Sequence, residues 1–296
     1  MKRFSFVLSI AGLLVGAHGA HAQSVGRMLA DDFTWAAQDI GRVFISPFRA
    51  SGRDYLIAGG VLGASALISP WDDNVDRWAV ANRDRGLLDA LKPIRAGGDF
   101  YSLNQATPYV IGLYAVGIAT KHRGIRDGVM GCAAAYTANT TIRHQVIYRL
   151  IGRNRPDTVR DRGPGEVGPP AQQGDQYEFN VPASGWKDHS FPGGHVATMA
   201  TCASFFAHRY DAKYINAPLI ALVTAMGIGR IADRGHWLSD QTVGVAFGYA
   251  VGREVARRQR QRLERERGQA SQSTAAPLPS LEASQDGVRL GLQFTF

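Results

Sequence analysis

Residues 229–240 read GRIADRGHWLSD and place Arg230, His236 and Asp240 at fixed offsets. If the chain is helical from Trp237 onward, His236 and Asp240 lie four residues apart on one face, where the carboxylate can accept one imidazole N–H. The other imidazole nitrogen is then unprotonated and can act as a nucleophile. The planar guanidinium of Arg230 can fold back and hold the oxygens of the group under attack. The same spacing also fits an ordinary hydrogen bond on a helix surface, so the interpretation needs support from the rest of the chain.

Two further segments supply residues of the same chemical kind. Arg153-Asn154-Arg155-Pro156 closes one helical run, and Phe191-Pro192-Gly193-Gly194-His195 opens the next apolar one. Together the three segments resemble the signature of the type 2 phosphatidic acid phosphatase superfamily, which also includes class A acid phosphatases and vanadium haloperoxidases. The family pattern is Lys-x6-Arg-Pro, then Pro-Ser-Gly-His, then Ser-Arg-x5-His-x3-Asp, and the order of the three segments agrees with it.

The resemblance implies roles for the residues that match the pattern. Arg155 and Arg230 would bind phosphate, His195 would be the general acid, His236 the nucleophile and Asp240 the group that orients His236. The reaction would then pass through a phosphohistidine and would need no metal ion and no other cofactor.

The junction from Pro192 to His195, where a loop becomes a helix, is suited to an anion for reasons of its own. Backbone N–H groups and the positive end of the helix macrodipole converge at such a point. Gly193 and Gly194 allow a ligand to approach the backbone closely. We therefore count both glycines among the candidate phosphate-binding residues.

The sequence departs from the family pattern at two phosphate-contacting positions. The family lysine falls on Tyr148, and the serine of the second motif falls on Gly193. Arg149 is one candidate to replace the lysine, although one residue along a helix turns a side chain by about 100°. Arg153 is the other candidate. These losses are compatible with three outcomes: a weakened phosphate affinity, a changed substrate, or a protein that binds without turnover.

The fold class predicted from the pattern is all-α, with a short C-terminal strand. Six apolar or amphipathic runs read as helices: Tyr55–Ser69, Gln105–Thr120, Gly128–Leu150, Val196–His208, Ile215–Ile231 and Trp237 to about Arg258. In an up-and-down bundle the three motif-bearing turns lie at one end, so they can form one pocket. The family resemblance independently implies a six-helix bundle of the phosphatase and haloperoxidase type.

We divide the chain into five parts. Residues 1–22 have the basic start, apolar centre and small-residue end of a secretory signal peptide. An N-terminal helical segment at 23–53 precedes the six-helix domain at 54–258. Residues 259–286 form a basic tail with a disordered part from 269, and residues 287–296 alternate as a strand does.

Composition and charge favour an exported protein that acts on anions. The chain has 33 Lys and Arg against 25 Asp and Glu, a net charge of +8, which favours phosphorylated small molecules, lipid phosphates and a membrane surface as partners. It has no nucleic-acid motif, so nucleic acid is not expected as a partner. The predicted location is the periplasm, in association with a membrane. The alternative is an integral inner-membrane protein. The uncharged runs argue against it, because they are shorter than the roughly 20 residues that cross a membrane.

Three further features have simple interpretations. Cys132 and Cys202 lie in apolar helices and are expected to be buried thiols, with a disulfide as the alternative. Residues 72–76 mimic the start of a calcium loop but lack its later ligands, so we expect a solvated turn. The polar loop from 156 to 192 is either a cap over the pocket or a flexible surface loop.

The sequence thus predicts a metal-independent phosphatase that hydrolyses phosphate monoesters or pyrophosphates, with lipid phosphates favoured. One alternative is a vanadium-dependent haloperoxidase, because vanadate mimics phosphate. The other is a non-catalytic protein that binds anions or lipid phosphates.

Overall fold

The computed structural model describes residues 24–96, 103–159, 173–183, 185–210, 213–273, 278–284 and 287–293. Over these ranges the protein is built from helices, and the predicted all-α fold is confirmed. The predicted signal peptide lies outside the described residues. The helices are α1 Val25–Ile45, α2 Gly52–Ile68, α3 Asp72–Asn82, α4 Gly86–Ala90, α5 Lys92–Ala96, α6 Leu103–Ala119, α7 Arg123–Ile142, α8 Tyr148–Ile151, α9 Gly194–Tyr210, α10 Lys213–Ala232 and α11 Leu238–Ser273.

The six predicted runs correspond to α2, α6, the continuous α7–α8 segment, α9, α10 and α11. A π-helical turn, Arg143–Ile147, joins α7 to α8. The α7–α8 segment ends at Gly152, whose left-handed conformation (φ 59°) closes the helix before the first motif.

Glycines bring α11 against α9, the helix that begins at the second motif. Gly244, Gly248 and Gly252 recur every four residues along one face of α11. A Cβ atom added at Gly248 would collide with the carbonyl oxygen of Ala197, and one at Gly252 with that of Thr201. Because only glycine fits this approach, the two helices are packed backbone to backbone, and the start of α9 is fixed next to the start of α11.

Cys132 in α7 and Cys202 in α9 form a disulfide, with their Cα atoms 5.1 Å apart. The expectation of free thiols is therefore wrong. The bond joins residues that are 70 positions apart in the chain, a proximity that sequence alone cannot show. The disulfide links α7, which leads to the first motif, to α9, which begins at the second motif.

The acidic segment at residues 72–76 is part of α3 and is not the solvated turn that we expected. Asp72 and Asp76 are buried. Asp72 accepts hydrogen bonds from Arg153 and Ser239, and Asp76 is paired with Arg234. Their partners are far away in sequence, so only the fold shows that these carboxylates are structural anchors behind the motif-bearing turns.

The C-terminal region has more regular structure than predicted. Helix α11 continues to Ser273, and β1 Leu278–Ser284 pairs antiparallel with β2 Gly287–Gln293, with Leu281 opposite Leu290. The described parts of the range 269–286 contain the end of α11 and strand β1. Strand β2 lies within the predicted strand at 287–296, of which residues 294–296 are outside the described residues.

Candidate active site

The three motif-bearing segments meet at His236, which is buried in the turn between α10 and α11. Its Nε2 atom lies 3.2 Å from the backbone nitrogen of Gly194 and 3.4 Å from Nη1 of Arg155. The His195 ring, at the start of α9, has its centroid 6.3 Å from that of His236. The structure therefore brings together at least one residue from each motif.

The hydrogen bonds of His236 define which nitrogen is available for chemistry. Nδ1 lies 2.6 Å from the carbonyl oxygen of Ser190, a pure acceptor, so Nδ1 carries the proton. Nε2 is then unprotonated, and its lone pair accepts the Gly194 N–H. Burial, together with the nearby Arg155 guanidinium and His195, lowers the pKa of His236 well below its ordinary value, so the ring is neutral at pH 7.

Asp240 does not touch His236, and the contact that we expected between them is wrong. Its carboxylate accepts hydrogen bonds from Ser190 Oγ at 2.5 Å, Arg153 Nη1 at 2.6 Å and the Trp237 backbone nitrogen at 3.0 Å. The reason is that α11 begins at Leu238, so Asp240 caps the first turn and His236 precedes the helix. Asp240 acts on His236 indirectly, through Ser190.

Neither arginine proposed to replace the family lysine faces His236. The Arg153 guanidinium is buried and binds Asp72, Ser239 and Asp240, while its Nε donates to a backbone carbonyl. It supports the site from behind. Arg149 lies exposed at the surface of α8. The lysine position itself, Tyr148, is buried.

Within the described ranges, the hydrogen-bond partners of Arg155 are neutral groups. Its Nε donates to the carbonyl oxygen of Trp186 at 3.0 Å, its Nη1 donates to that of Gly235, and its guanidinium stacks 4.4 Å from the Trp186 ring centroid. Burial lowers the pKa of Arg155 to about 10, and the positive charges of Arg230 and Arg143 add to this. Arg155 is thus a fixed, desolvated cation beside the free nitrogen of His236.

Arg230 lies in the last turn of α10 and reaches over the turn that carries His236. Its guanidinium is 3.3 Å from the position a Cβ atom would take at Gly235. Its Nη1 is 3.7 Å from Oδ2 of Asp233, at the outer limit of an ion pair. Its positive charge lowers the pKa of His195, after burial as the larger cause. Arg230 therefore adds to the positive potential around both histidines.

Sequence reasoning missed Arg143, a buried arginine at the start of the π-helical turn. Its Nη1 donates to the Tyr148 hydroxyl at 3.0 Å, and its Nη2 to Thr198 Oγ1 at 3.2 Å. A Cβ atom at Gly194 would collide with Nη1 of Arg143 and with the Tyr148 hydroxyl. Arg143 was missed because of the π turn. In an α-helix, side chains five residues apart point about 140° away from each other, whereas a turn with i→i+5 hydrogen bonds aligns Arg143 with Tyr148.

Gly193 is the second departure from the family pattern, and a nearby glutamine explains it. A Cβ atom at Gly193 would lie 2.6 Å from Oε1 of Gln241. The Gln241 amide is buried, and among the described residues neither of its side-chain polar atoms has a hydrogen-bond partner. Gln241 therefore fills the space that a serine side chain at 193 would occupy.

Two buried arginines at the site differ from Arg153 in having neutral hydrogen-bond partners. Within the described ranges, no carboxylate lies at ion-pair distance from Arg143 or Arg155, although both are buried. A buried cation without a counter-ion is costly to the fold. The arrangement is therefore complementary to an anion placed between the guanidinium groups, the Gly194 amide and His236.

The comparisons with known proteins concern the same part of the chain. Residues 129–264 match the model of the PAP2 superfamily. A lipid A 1-phosphatase from Porphyromonas gingivalis is 34% identical over 80 residues, which are 26% of this chain and 18% of that protein. The matched region is thus less than a fifth of that relative's length.

A crystal structure of a transmembrane PAP2 type phosphatidylglycerolphosphate phosphatase from Bacillus subtilis is also similar, at 14% identity and a TM-score of 0.29. That match covers 80% of this chain and 96% of the other. The range 129–264 contains the site residues from Arg143 to Gln241, so the part of the chain that carries the three motifs matches the PAP2 superfamily, as their resemblance predicted.

Proposed function

We propose that this protein is a phosphatase that hydrolyses phosphate esters by nucleophilic attack of His236. The observation that carries the proposal is the unprotonated Nε2 atom of a neutral, buried histidine beside the guanidinium of Arg155, which has no carboxylate partner in the described ranges. A phosphate group placed there would receive charge-assisted hydrogen bonds on its oxygens, and its phosphorus would face a nucleophile.

In the first step, a bond forms between Nε2 of His236 and phosphorus while the bond to the leaving oxygen breaks. His195 gives its proton to that oxygen. In the free protein, burial and the charges of Arg230 and Arg155 lower the pKa of His195, so it is neutral. The phosphate dianion offsets those charges, so His195 gains its proton when substrate binds. In the second step, His195 takes a proton from water, which attacks the phosphohistidine and releases phosphate.

Lipid phosphates are the proposed substrate class. A groove of about 620 Å³ runs between α9, α10 and α11, and its wall includes Val196, Val223 and Val245 together with Gln241. Because a Cβ atom at Gly193 would collide with Gln241, the groove begins next to the site. An acyl chain fits an apolar channel of this kind. The lipid A 1-phosphatase similarity points to the same class of substrate.

Two exposed apolar helices support association with a membrane. In α2, only Ser65 of 17 residues is buried, and Leu56 and Leu67 are 79% and 74% exposed. Among the described residues, α10 is the one helix that is long and apolar enough to cross a membrane. Large exposed apolar surfaces of this kind mark contact with lipid or protein. We propose a membrane-associated protein exported to the periplasm.

The test compares phosphate release from a short-chain phosphatidic acid and from p-nitrophenyl phosphate. We expect release from both by the wild type, a higher kcat/KM for the lipid, and loss of both activities in His236→Ala. A protein that binds both compounds without releasing phosphate would instead be the non-catalytic binder that the changes at Tyr148 and Gly193 suggest. Bromide oxidation after addition of vanadate would identify the haloperoxidase alternative.

A further inference from the structure

We propose that Arg143 replaces the family lysine and binds the phosphoryl oxygens as a third guanidinium. This inference deepens the proposed function and rests on the same site. It assigns an anion-binding role to a residue that lies outside the three motifs.

Position is the first argument. The family lysine falls on Tyr148, whose hydroxyl is 3.0 Å from Nη1 of Arg143. The Arg143 guanidinium also lies 5.6 Å from the centroid of the Tyr148 ring. The positive charge of Arg143 thus lies where the side chain at position 148, the family lysine position, ends. It also borders Gly194, whose N–H faces His236.

Charge is the second argument. Arg143 donates to two neutral hydroxyl groups, those of Tyr148 and Thr198. Its Nε atom is buried without a hydrogen-bond partner in the described part of the chain. A guanidinium in a purely structural role is expected to be paired with a carboxylate when it is this buried, as Arg153 is with Asp72 and Asp240. Arg143 therefore has the donors and the charge that an anion requires.

Its neighbours are the third argument. Arg143 contributes to the lowered pKa of His195 and of Arg155, although burial is the larger cause in both. The three residues therefore share one electrostatic environment. Arg149 is exposed and Arg153 is committed to carboxylates, so neither supplies this charge to the pocket.

The alternative is that Arg143 only connects the π turn to α9 through its hydrogen bonds. Arg143→Gln tests this, because glutamine removes the charge and keeps a donor for Tyr148 or Thr198. Arg143→Ala with Tyr148→Lys returns a cation from the family position. Arg77→Ala is the matched control, since Arg77 is an exposed arginine paired with Asp73.

The measurements are the dissociation constant for orthovanadate by titration calorimetry, kcat/KM for a short-chain phosphatidic acid, and the thermal midpoint of each variant. We expect Arg143→Gln to raise the dissociation constant about 10- to 100-fold and to lower kcat/KM about 10²- to 10³-fold. The double variant should regain part of both losses relative to Arg143→Ala, and Arg77→Ala should match the wild type.

Two results would overturn the inference. One is unchanged orthovanadate affinity in Arg143→Gln, whatever its activity. The other is a loss in Arg143→Gln that follows its thermal midpoint and is not regained by Tyr148→Lys. If the wild type releases no phosphate but binds orthovanadate in an Arg143-dependent way, the proposed enzyme activity fails and the assignment of Arg143 stands.

Discussion

The Nδ1 atom of His236 lies 2.6 Å from the backbone carbonyl oxygen of Ser190. The proton of the proposed nucleophile is therefore held by the main chain, and its unprotonated nitrogen faces the Gly194 N–H and Arg155. The carboxylate of Asp240 acts one step further away, because it binds the Ser190 hydroxyl. The orientation of the His236 ring therefore does not depend directly on the charge of Asp240.

We expect Asp240→Asn to affect stability more than catalysis. The substitution leaves Arg153 without one of its two buried carboxylate partners, which should lower the free energy of unfolding by about 3 kcal/mol. Because Ser190 still fixes the tautomer of His236, kcat should fall by less than about 10²-fold. In a triad with a direct His–Asp contact the same change costs about 10⁴-fold. Denaturant unfolding and steady-state kinetics measure the two effects. A 10⁴-fold loss of kcat without loss of stability would show that Asp240 contacts His236 directly.

Acid should destabilise the free protein through its buried histidines. The pKa values of His195 and His236 are lowered in the folded state, chiefly by burial, so the unfolded chain binds more protons as pH falls below about 6.5. Stability is then fully present above that pH and is lost on acidification. We expect the thermal midpoint to drop between pH 7 and pH 5, and to drop less with bound orthovanadate, which offsets the arginine charges. His195→Gln should also reduce the slope, and an unchanged slope in that variant would count against a buried neutral His195.

Gly193 and Gln241 should be coupled. Gly193→Ser places a Cβ atom 2.6 Å from Oε1 of Gln241, so the single substitution should reduce both stability and activity. Gln241→Ala frees that space, and the double variant should recover, with a coupling energy of about 0.5–3 kcal/mol in a double-mutant cycle. Additive effects of the two substitutions would mean that the side chains do not compete for one space.

The disulfide between Cys132 and Cys202 should stabilise the fold without taking part in the reaction. It closes a segment of 70 residues, for which loss of the cross-link is expected to cost about 4 kcal/mol. Replacing both cysteines by serine should lower the thermal midpoint and leave KM unchanged at a temperature where the variant is folded. A raised KM under those conditions would indicate that the bond shapes the pocket.

The sequence predicted the parts of the site that depend on motif order. His195, His236 and Arg155 lie in turns whose position at one end of the bundle follows from helix parity, and the structure places them together. The helix bounds were predicted to within about five residues for the first five runs, whereas the sixth helix continues to Ser273, well beyond the predicted end near Arg258. These features depend on local pattern, which a single chain displays directly.

The sequence could not show features that depend on the exact rotational phase of a helix or on contacts between residues far apart in the chain. A helix start at Leu238 instead of Trp237 was enough to change the partner of Asp240. The π turn moved Arg143 to a face that ordinary helical periodicity does not predict. The burial of Asp72 follows from Arg153, a partner 81 residues away. The exact helical phase decided the first two cases, and a long-range contact decided the third.

The most direct test of the account is to trap the covalent intermediate. The protein is mixed with a short-chain phosphatidic acid labelled with ³²P at the phosphate, quenched in alkali and digested for peptide mapping. We predict label on His236 in the wild type and none in His236→Ala. Phosphate release by the wild type without label on His236, or continued release by His236→Ala, would contradict the account.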